Sequence, residues 1–406
     1  MTSPASTLPP RFDPLDPDVV ADPYPSYARL RASGPVCRAG LGSWLVVRYD
    51  DVAALLNDAR LGNRRDGEDG STPLFGAGPA GSLSQRIIAG REGADHLALR
   101  RILATSLRAN RERGWRPRIA EMVDDLLAPA LDGAPFDVVA DLAFPLQALV
   151  VCDLLGLPPA DRDLIWPTAV RLGRAFIPYR MPTAEQAAEA DRAVAALRDY
   201  VGDWFSRRLR SPAGGLVGDL AAALDGPAGL TREDLVDNLV FLLFAGFEPT
   251  MNMVANGFAA LLAHPAELDR LAADPSLVET AVEEFLRYDA PTQYTMRIVR
   301  ETVEIGGRSI RPGRLLLLGL GSANRDPDRF PEPDRLDVGR HPNPHLSFGG
   351  GSHHCTGWAV ARAEGETVFS RVLERARAIE PAGPAVRLDH PNFRAHEALP
   401  VRLHAA

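Results

Sequence analysis

The sequence predicts a mainly α-helical protein with small β-sheets, on three observations. Apolar residues recur with helical spacing over long stretches, residues 120–131, 142–155, 161–176 and 183–209, interrupted by Pro and Gly. Strand-like runs are few and short, residues 43–49 near the start and 292–297 further on. The 406 residues are 46% hydrophobic and 24% charged, a balance that can bury a large core and does not describe a disordered chain.

Taken in order, residues 1–17 are polar and proline-rich and carry no apolar leader-like core. Asp22-Pro23-Tyr24-Pro25 introduces a short helix through Leu30, and the apolar run Ser43-Trp44-Leu45-Val46-Val47-Arg48-Tyr49 leads into a helix over residues 51–59. Residues 61–90 are rich in Gly, Pro, Ser and Asp and read as a long loop, a kind that is usually functional. Asp95 opens a helix to about Asn110, in which His96 and Arg100, four apart, share one face. Two such donors can grip one carboxylate, although a His/Arg pair on a polar face is more often simply solvated. Prolines 178 and 182 keep residues 177–182 out of helix.

Thr231-Arg232-Glu233-Asp234 has the form of a helix start with acids in its first turn. One long helix is expected to follow, apolar on all sides and therefore buried, carrying Phe244-Ala245-Gly246-Phe247-Glu248-Pro249-Thr250. Pro249 removes a backbone donor and pushes on the carbonyl of Ala245, so that helix should be kinked or opened there. Glu284 and Arg287 stand three apart, the spacing of an ion pair that is common on any helix.

Charge and cysteine usage exclude several classes. The net charge is −8 and every one of the 45 basic residues is Arg, which disfavours nucleic-acid binding. Three cysteines far apart in sequence suit a reducing cytoplasm rather than export. The longest apolar run, residues 239–247, falls short of the ~20 residues of a spanning helix, so no membrane anchor is expected.

The chemistry concentrates in Phe348-Gly349-Gly350-Gly351-Ser352-His353-His354-Cys355-Thr356-Gly357, which runs into a helix-like segment from Trp358. Three glycines permit positive φ and leave peptide N–H groups free to point at the sulfur, and a following helix N-terminus favours a thiolate over a thiol of ordinary pKa ~8.5. One thiolate with an open opposite face suits haem iron. Zinc would need about four ligands at short spacings, which Cys37 and Cys152 do not supply. A phosphate-cradling loop would end in Lys-Ser/Thr, and covalent haem would need Cys-x-x-Cys-His; both are missing.

The pattern Phe-Gly-x-Gly-x-His-x-Cys-x-Gly, matched by Phe348, Gly349, Gly351, His353, Cys355 and Gly357, resembles the haem-binding loop of the cytochrome P450 monooxygenases. Length alone suggests two or three domains, but the resemblance runs from about Asp13 to Leu403 and implies one domain over residues 1–406, haem lying between the long distal helix and the helix after the Cys loop. It implies haem b (iron protoporphyrin IX) with Cys355 as its metal ligand. It places His96, Arg100, Arg297 and His345 on the haem propionates, with His353 as a further candidate. It assigns Ala245, Gly246, Glu248, Pro249 and Thr250 to the distal oxygen site, with Glu248 at the family's acid and Pro249 where the family has an alcohol. Glu284, Arg287 and Arg340 match its structural Glu-Arg-Arg network. Residues 61–90, 172–181, 293–295 and 392–394 would line the substrate pocket, including Phe247, Gln293, Tyr294, Thr295 and Phe393, with residues 177–182 as its lid.

The resemblance further implies O2 and a small-molecule substrate, a soluble cytoplasmic enzyme of bacterial secondary metabolism, and electrons from NAD(P)H through ferredoxin and ferredoxin reductase docked on the Cys side. Arg108, Arg111, Arg113 and Arg116 are the expected docking patch, or equally a solvated helix face. Pro249 leaves two other chemistries open, peroxide-driven oxidation and oxidative coupling of aromatic rings. A non-catalytic partner protein of the same fold would be expected to lose the thiolate or the propionate donors, which this chain keeps.

Overall fold

The computed structural model describes residues 11–63, 77–112, 114–131, 134–175, 182–210, 216–224 and 229–406. Its largest sheet has six strands in the spatial order β1-β2-β3-β6-β5-β4: β1 Arg11–Phe12, β2 Val36–Ala39, β3 Trp44–Val46, β4 Leu61–Gly62, β5 Thr295–Val299 and β6 Leu315–Leu318. The central strands are apolar without alternation because both faces are covered. Trp44, Val46, Leu316 and Leu318 enter one hydrophobic cluster, while Leu45 and Leu317 enter another with Tyr27 and Tyr294. In β5 the same two-residue period sets Thr295, Arg297 and Val299 on one face and Met296 on the other.

The helical part follows the predicted pattern closely. The helix bearing His96 spans Gly93–Glu112 (α1), and the four periodic stretches become Trp115–Leu131 (α2), Phe144–Leu155 (α3), Arg162–Ala175 (α4) and Ala184–Arg210 (α5). Then come Arg232–Ala245 (α6), Glu248–Ala263 (α7), Val278–Tyr288 (α8) and, after the Cys loop, Trp358–Arg375 (α9). Residues 61–90 are not all loop. A helix over Pro79–Arg86 starts with Pro, whose missing N–H costs nothing in a first turn, and buries Ala80 and Leu83.

Thr231 and Asp234 form a reciprocal capping box at the start of α6. The expected single long helix is two helices. α6 ends at Ala245, Gly246 and Phe247 make the break, and α7 opens with Pro249 in its first turn. Pro249 cannot donate to Ala245, and the chain regains its ladder only at Met251, whose N–H reaches the Phe247 carbonyl at 3.2 Å.

Two segments, Val138–Leu155 and Arg232–Ala263, are long and apolar enough to span a membrane, more than the uninterrupted runs of the sequence suggest. They are 61% and 72% buried inside the protein, as core helices are.

Behind the Cys loop, the fully buried Glu284 and Arg287 of α8 pair through two bonds of 2.7 and 2.8 Å, and Arg340 reaches the same carboxylate at 3.2 Å. The Asp337 N–H and the Asn343 amide complete the carboxylate's shell at 3.0 and 3.1 Å. Arg287 also donates to the carbonyls of Asn324 and Pro333. Asn324 accepts from the Leu346 N–H and donates to Ser347 Oγ, each at 2.7 Å, so the buried ion pair is continuous with the backbone that enters the Cys loop.

Candidate active site

The Cys loop is closed by the Cys355 N–H donating to the Phe348 carbonyl at 2.9 Å. Gly349 and Gly351 sit at φ 68° and 65°, in the left-handed region, and a Cβ at Gly351 would lie 2.3 Å from the Leu56 carbonyl oxygen. Both demands forbid a side chain. Gly351→Ala should therefore distort the loop and lower haem content several-fold, read as haem absorbance per mole of purified protein; unchanged content would contradict this role.

Cys355 is exposed, but to a cavity of about 430 Å³ that it lines, a volume within the ~300–1,000 Å³ of small-molecule and cofactor sites. Burial pushes its thiol up, opposed by the backbone amides of Gly357 and Trp358 and by the Arg100 and Arg362 guanidinium groups. The amides facing the sulfur thus come after the cysteine. Among the expected glycine donors, the Gly349 N–H instead serves the Leu346 carbonyl. The other cysteines are remote: Cys37 packs in the sheet, Cys152 in α3, and burial pushes them to about 12 and about 11.

The cavity is walled by α6 and α7 through Phe241, Leu242, Ala245, Gly246, Pro249, Thr250 and Met253, and by β5 through Thr295 and Arg297. His96 and Arg100 of α1 line it as well, as do Phe348, Gly349, His353 and Gly357 from the loop. Arg297 is 5% exposed, and among the described residues no carboxylate lies within ion-pair distance of it. It donates only to the Met296 carbonyl at 2.8 Å and Thr295 Oγ1 at 3.3 Å, and burial holds it down at about 10 against the opposing charge of the more distant Glu92. A buried guanidinium so placed lacks an anion in direct contact. Arg100 donates to the His354 carbonyl at 2.7 Å. His96 faces two carbonyl oxygens, Ile88 at 3.0 Å and Ser352 at 2.8 Å, and a neutral imidazole can donate to only one. His353 meets His96 with the rings tilted at 47° and centroids 4.1 Å apart, next to Asn63 at 3.1 Å and Glu92 at 3.4 Å. Burial lowers His353 and raises Glu92, but His353 and the Asn63 N–H outweigh burial at Glu92 and leave it at about 2. A group bearing two carboxylates and a metal that accepts a thiolate fits this set.

Several expected residues lie elsewhere. His345 is turned away from the cavity, its ring between Glu283 at 3.2 Å and the Ser347 N–H at 3.2 Å. Phe247 stacks on Trp166 at 4.7 Å and meets Phe144 edge-on at 5.1 Å, within the core. Glu248 is buried against α4, where a Cβ on Gly173 would meet its carboxylate at 3.2 Å, and it does not line the cavity. Gln293 is held by the Ala290 carbonyl at 2.8 Å, and Tyr294 points to the opposite face of the sheet, its hydroxyl donating to Pro391. Phe393 stacks on His390 and bridges to Thr292, which lines the cavity in its place. Residues 177–181 of the expected lid lie outside the described residues, as do Arg113 and the side chains of Arg108 and Arg111; Arg116 is paired with Glu366.

The sequence reading missed Glu92, Met253 and Glu364. Only Met253 carried a signal, since it follows Gly246, Pro249 and Thr250 at helical spacing. A second cleft of about 580 Å³, lined by Asp125, Pro129, Phe144, Arg162 and Trp166 among others, shares no residue with the first and holds no cysteine or histidine among the described residues.

The family profile described as Cytochrome P450 matches residues 216–389. Cytochrome P450 monooxygenase PikC of Streptomyces venezuelae is 38% identical over 96% of this chain and 92% of its own length. Vitamin D(3) 25-hydroxylase of Pseudonocardia autotrophica is 36% identical over 87% and 86%. Among solved structures, the crystal structure of CalO2 superposes with a TM-score of 0.89 at 34% identity, covering 97% of this chain and 98% of the other. The chain belongs to the cytochrome P450 superfamily, and it is an oxidoreductase of the monooxygenase type.

Proposed function

We propose that Cys355 is the thiolate ligand of a haem b held by His96, Arg100, Arg297 and His353, and that the 406 residues are one domain oxidising a small organic substrate of bacterial secondary metabolism. The observation that carries this reading is the pairing, in one cavity, of a cavity-facing sulfur with the buried guanidinium of Arg297, which has no carboxylate in contact among the described residues. Bound there, haem supplies activation of O2 at a thiolate-ligated iron. The protein's own residues do the rest. Arg297, Arg100 and His96 neutralise and orient the propionates. The Gly357 and Trp358 amides stabilise charge on the sulfur, and metal ligation deprotonates a thiol outright. Leu242, Ala245 and Phe241 exclude water and present an apolar face to the substrate. Thr250, with its hydroxyl 3.5 Å from the Gly246 carbonyl, gives the α7 wall of the cavity a hydroxyl next to the position where Pro249 has none.

In this reading the electrons come from NAD(P)H through ferredoxin and ferredoxin reductase, and the location is cytoplasmic, as the resemblance to the family implies. Hydroxylation is favoured over aromatic coupling or peroxide-driven oxidation because two of the relatives are named as a monooxygenase and a 25-hydroxylase. The test is the carbon monoxide complex of the reduced protein. Wild type should show the long-wavelength Soret band of thiolate ligation, Cys355→Ala should lose it entirely, and Cys37→Ala and Cys152→Ala should keep it. Survival of the band in Cys355→Ala would overturn the assignment.

A further inference from the structure

Three segments of the chain share a pattern that the first cavity does not use. Asp125 and Pro129 on α2, Asp141 and Pro145 at the entry to α3, and Asp163 and Pro167 on α4 each stand four residues apart. All six line the second cleft, the one of about 580 Å³. A proline has no N–H for the carbonyl four residues earlier, so each of these aspartates carries, besides its carboxylate, a main-chain carbonyl denied its usual α-helical donor. Three helices thus bring acceptors to one place.

The charge of the cleft is unbalanced. The three carboxylates are exposed, and the one cation among the described lining residues, Arg162, meets Asp163 at 3.3 Å, which leaves an excess of two negative charges. Asp141 accepts from the Asp137 N–H at 2.7 Å, whereas Asp125 has no hydrogen bond or ion pair among the described residues. Behind this rim the lining is apolar, with Leu126, Phe136, Phe144, Ala148 and Trp166. Trp166 is 2% exposed, and its indole N–H has no hydrogen-bond partner among the described residues. Exposed aspartates are ordinarily just solvated, but these surround an apolar hollow of small-molecule size whose wall holds a buried donor without an acceptor. An anion is repelled by such a rim, and a plain hydrocarbon leaves the indole unmet. The molecule that fits has a cationic end for the carboxylates, an apolar body for the rings, and an oxygen acceptor for the indole.

The cleft also reaches the active-site wall from behind. Trp166 and Phe144 are the two rings that hold Phe247, at 4.7 and 5.1 Å. Phe247 stands in the break between α6 and α7, beside Gly246, which lines the first cavity. A ligand packed on Trp166 and Phe144 therefore bears on the far side of that break. We propose that the second cleft is an effector site for a small amphiphilic organic cation with an oxygen acceptor, of the amino-ester or amino-alcohol kind, and that its occupancy steadies the α6–α7 bend through Trp166, Phe144 and Phe247. Binding there uses none of the residues assigned to haem and does not rest on the haem-thiolate reading.

The probe is octanoylcholine, whose quaternary ammonium cannot coordinate iron. Calorimetric titration of the haem-loaded wild type should show a site that is lost in Ala140→Trp, a change at an exposed lining position that fills the cleft. In the double variant Asp125→Asn, Asp163→Asn the same site should weaken on the order of 5- to 10-fold, as for two exposed charge contacts. That variant carries the test if Ala140→Trp does not fold. The titration of octanoate, of opposite charge, should be the same in wild type and Ala140→Trp. Amide hydrogen exchange across residues 244–251 should slow several-fold when octanoylcholine saturates wild type, and should not respond to it in Ala140→Trp. Octanoylcholine binding that persists undiminished in both variants would overturn the site, and unaltered exchange with the site filled would overturn its link to the bend.

Discussion

Arg297→Leu should weaken haem binding about 10²- to 10³-fold and, in the same protein, make the haem-free state more stable than wild type. The two signs have one cause. Without an anion in contact the guanidinium is buried at 5% exposure with two neutral partners and only the distant charge of Glu92, and a leucine in its place carries no desolvation cost. Once carboxylates are bound, the same charge is paired in low dielectric, and deleting it costs about 2–5 kcal/mol. Transfer of haem to an apo-globin measures the first effect, and urea unfolding of the haem-stripped protein measures the second. Arg297→Lys should fall between, because an ammonium keeps the charge but not the fork. A haem-free variant less stable than wild type would show that Arg297 serves the sheet and not the cofactor.

Glu284→Ala should leave little folded protein. Its removal strands two cations, the fully buried Arg287 and the partly buried Arg340, together with the Asp337 N–H. Breaking a buried pair in this way costs about 3–5 kcal/mol, against a total stability of about 5–15. Arg340→Ala, at the wetter end of the network, should be milder. Denaturation midpoints with and without haem would check the ranking, and equal midpoints for wild type and Glu284→Ala would sink it.

What could be read in the sequence, and what could not, divides along physical lines. The Cys loop was legible because its chemistry is local: Gly349 and Gly351 need positive φ, and Cys355 is the one cysteine ahead of a helix. His96 and Arg100 were legible because four residues are one helical turn. The distal helix was half legible. Its period sets Leu242, Gly246, Pro249, Thr250 and Met253 on one side and puts Phe247 and Glu248 ~100° and ~200° away from Gly246. Family position assigned those two to the site, whereas the period sent them to the core. Tyr294 failed for a related reason, since strand parity cannot be fixed until it is known where pairing begins, and β5 begins at Thr295. Glu364 gave no sign at all. A buried acid reads like a solvated one until the fold shows what surrounds it.

The break at Gly246 and Phe247 also has a thermodynamic side. A helix opened by proline is not here a loose joint, because Phe247 is clamped between Trp166 at 4.7 Å and Phe144 at 5.1 Å, each contact contributing about 0.5–1.5 kcal/mol beyond its buried area. Those rings belong to α4 and α3, so the bend is fastened from outside the cavity by two neighbouring helices. The opened wall is then part of the folded state from the start, and a substrate meeting Ala245, Gly246 and Pro249 gives up its own freedom without also having to order the surface it binds.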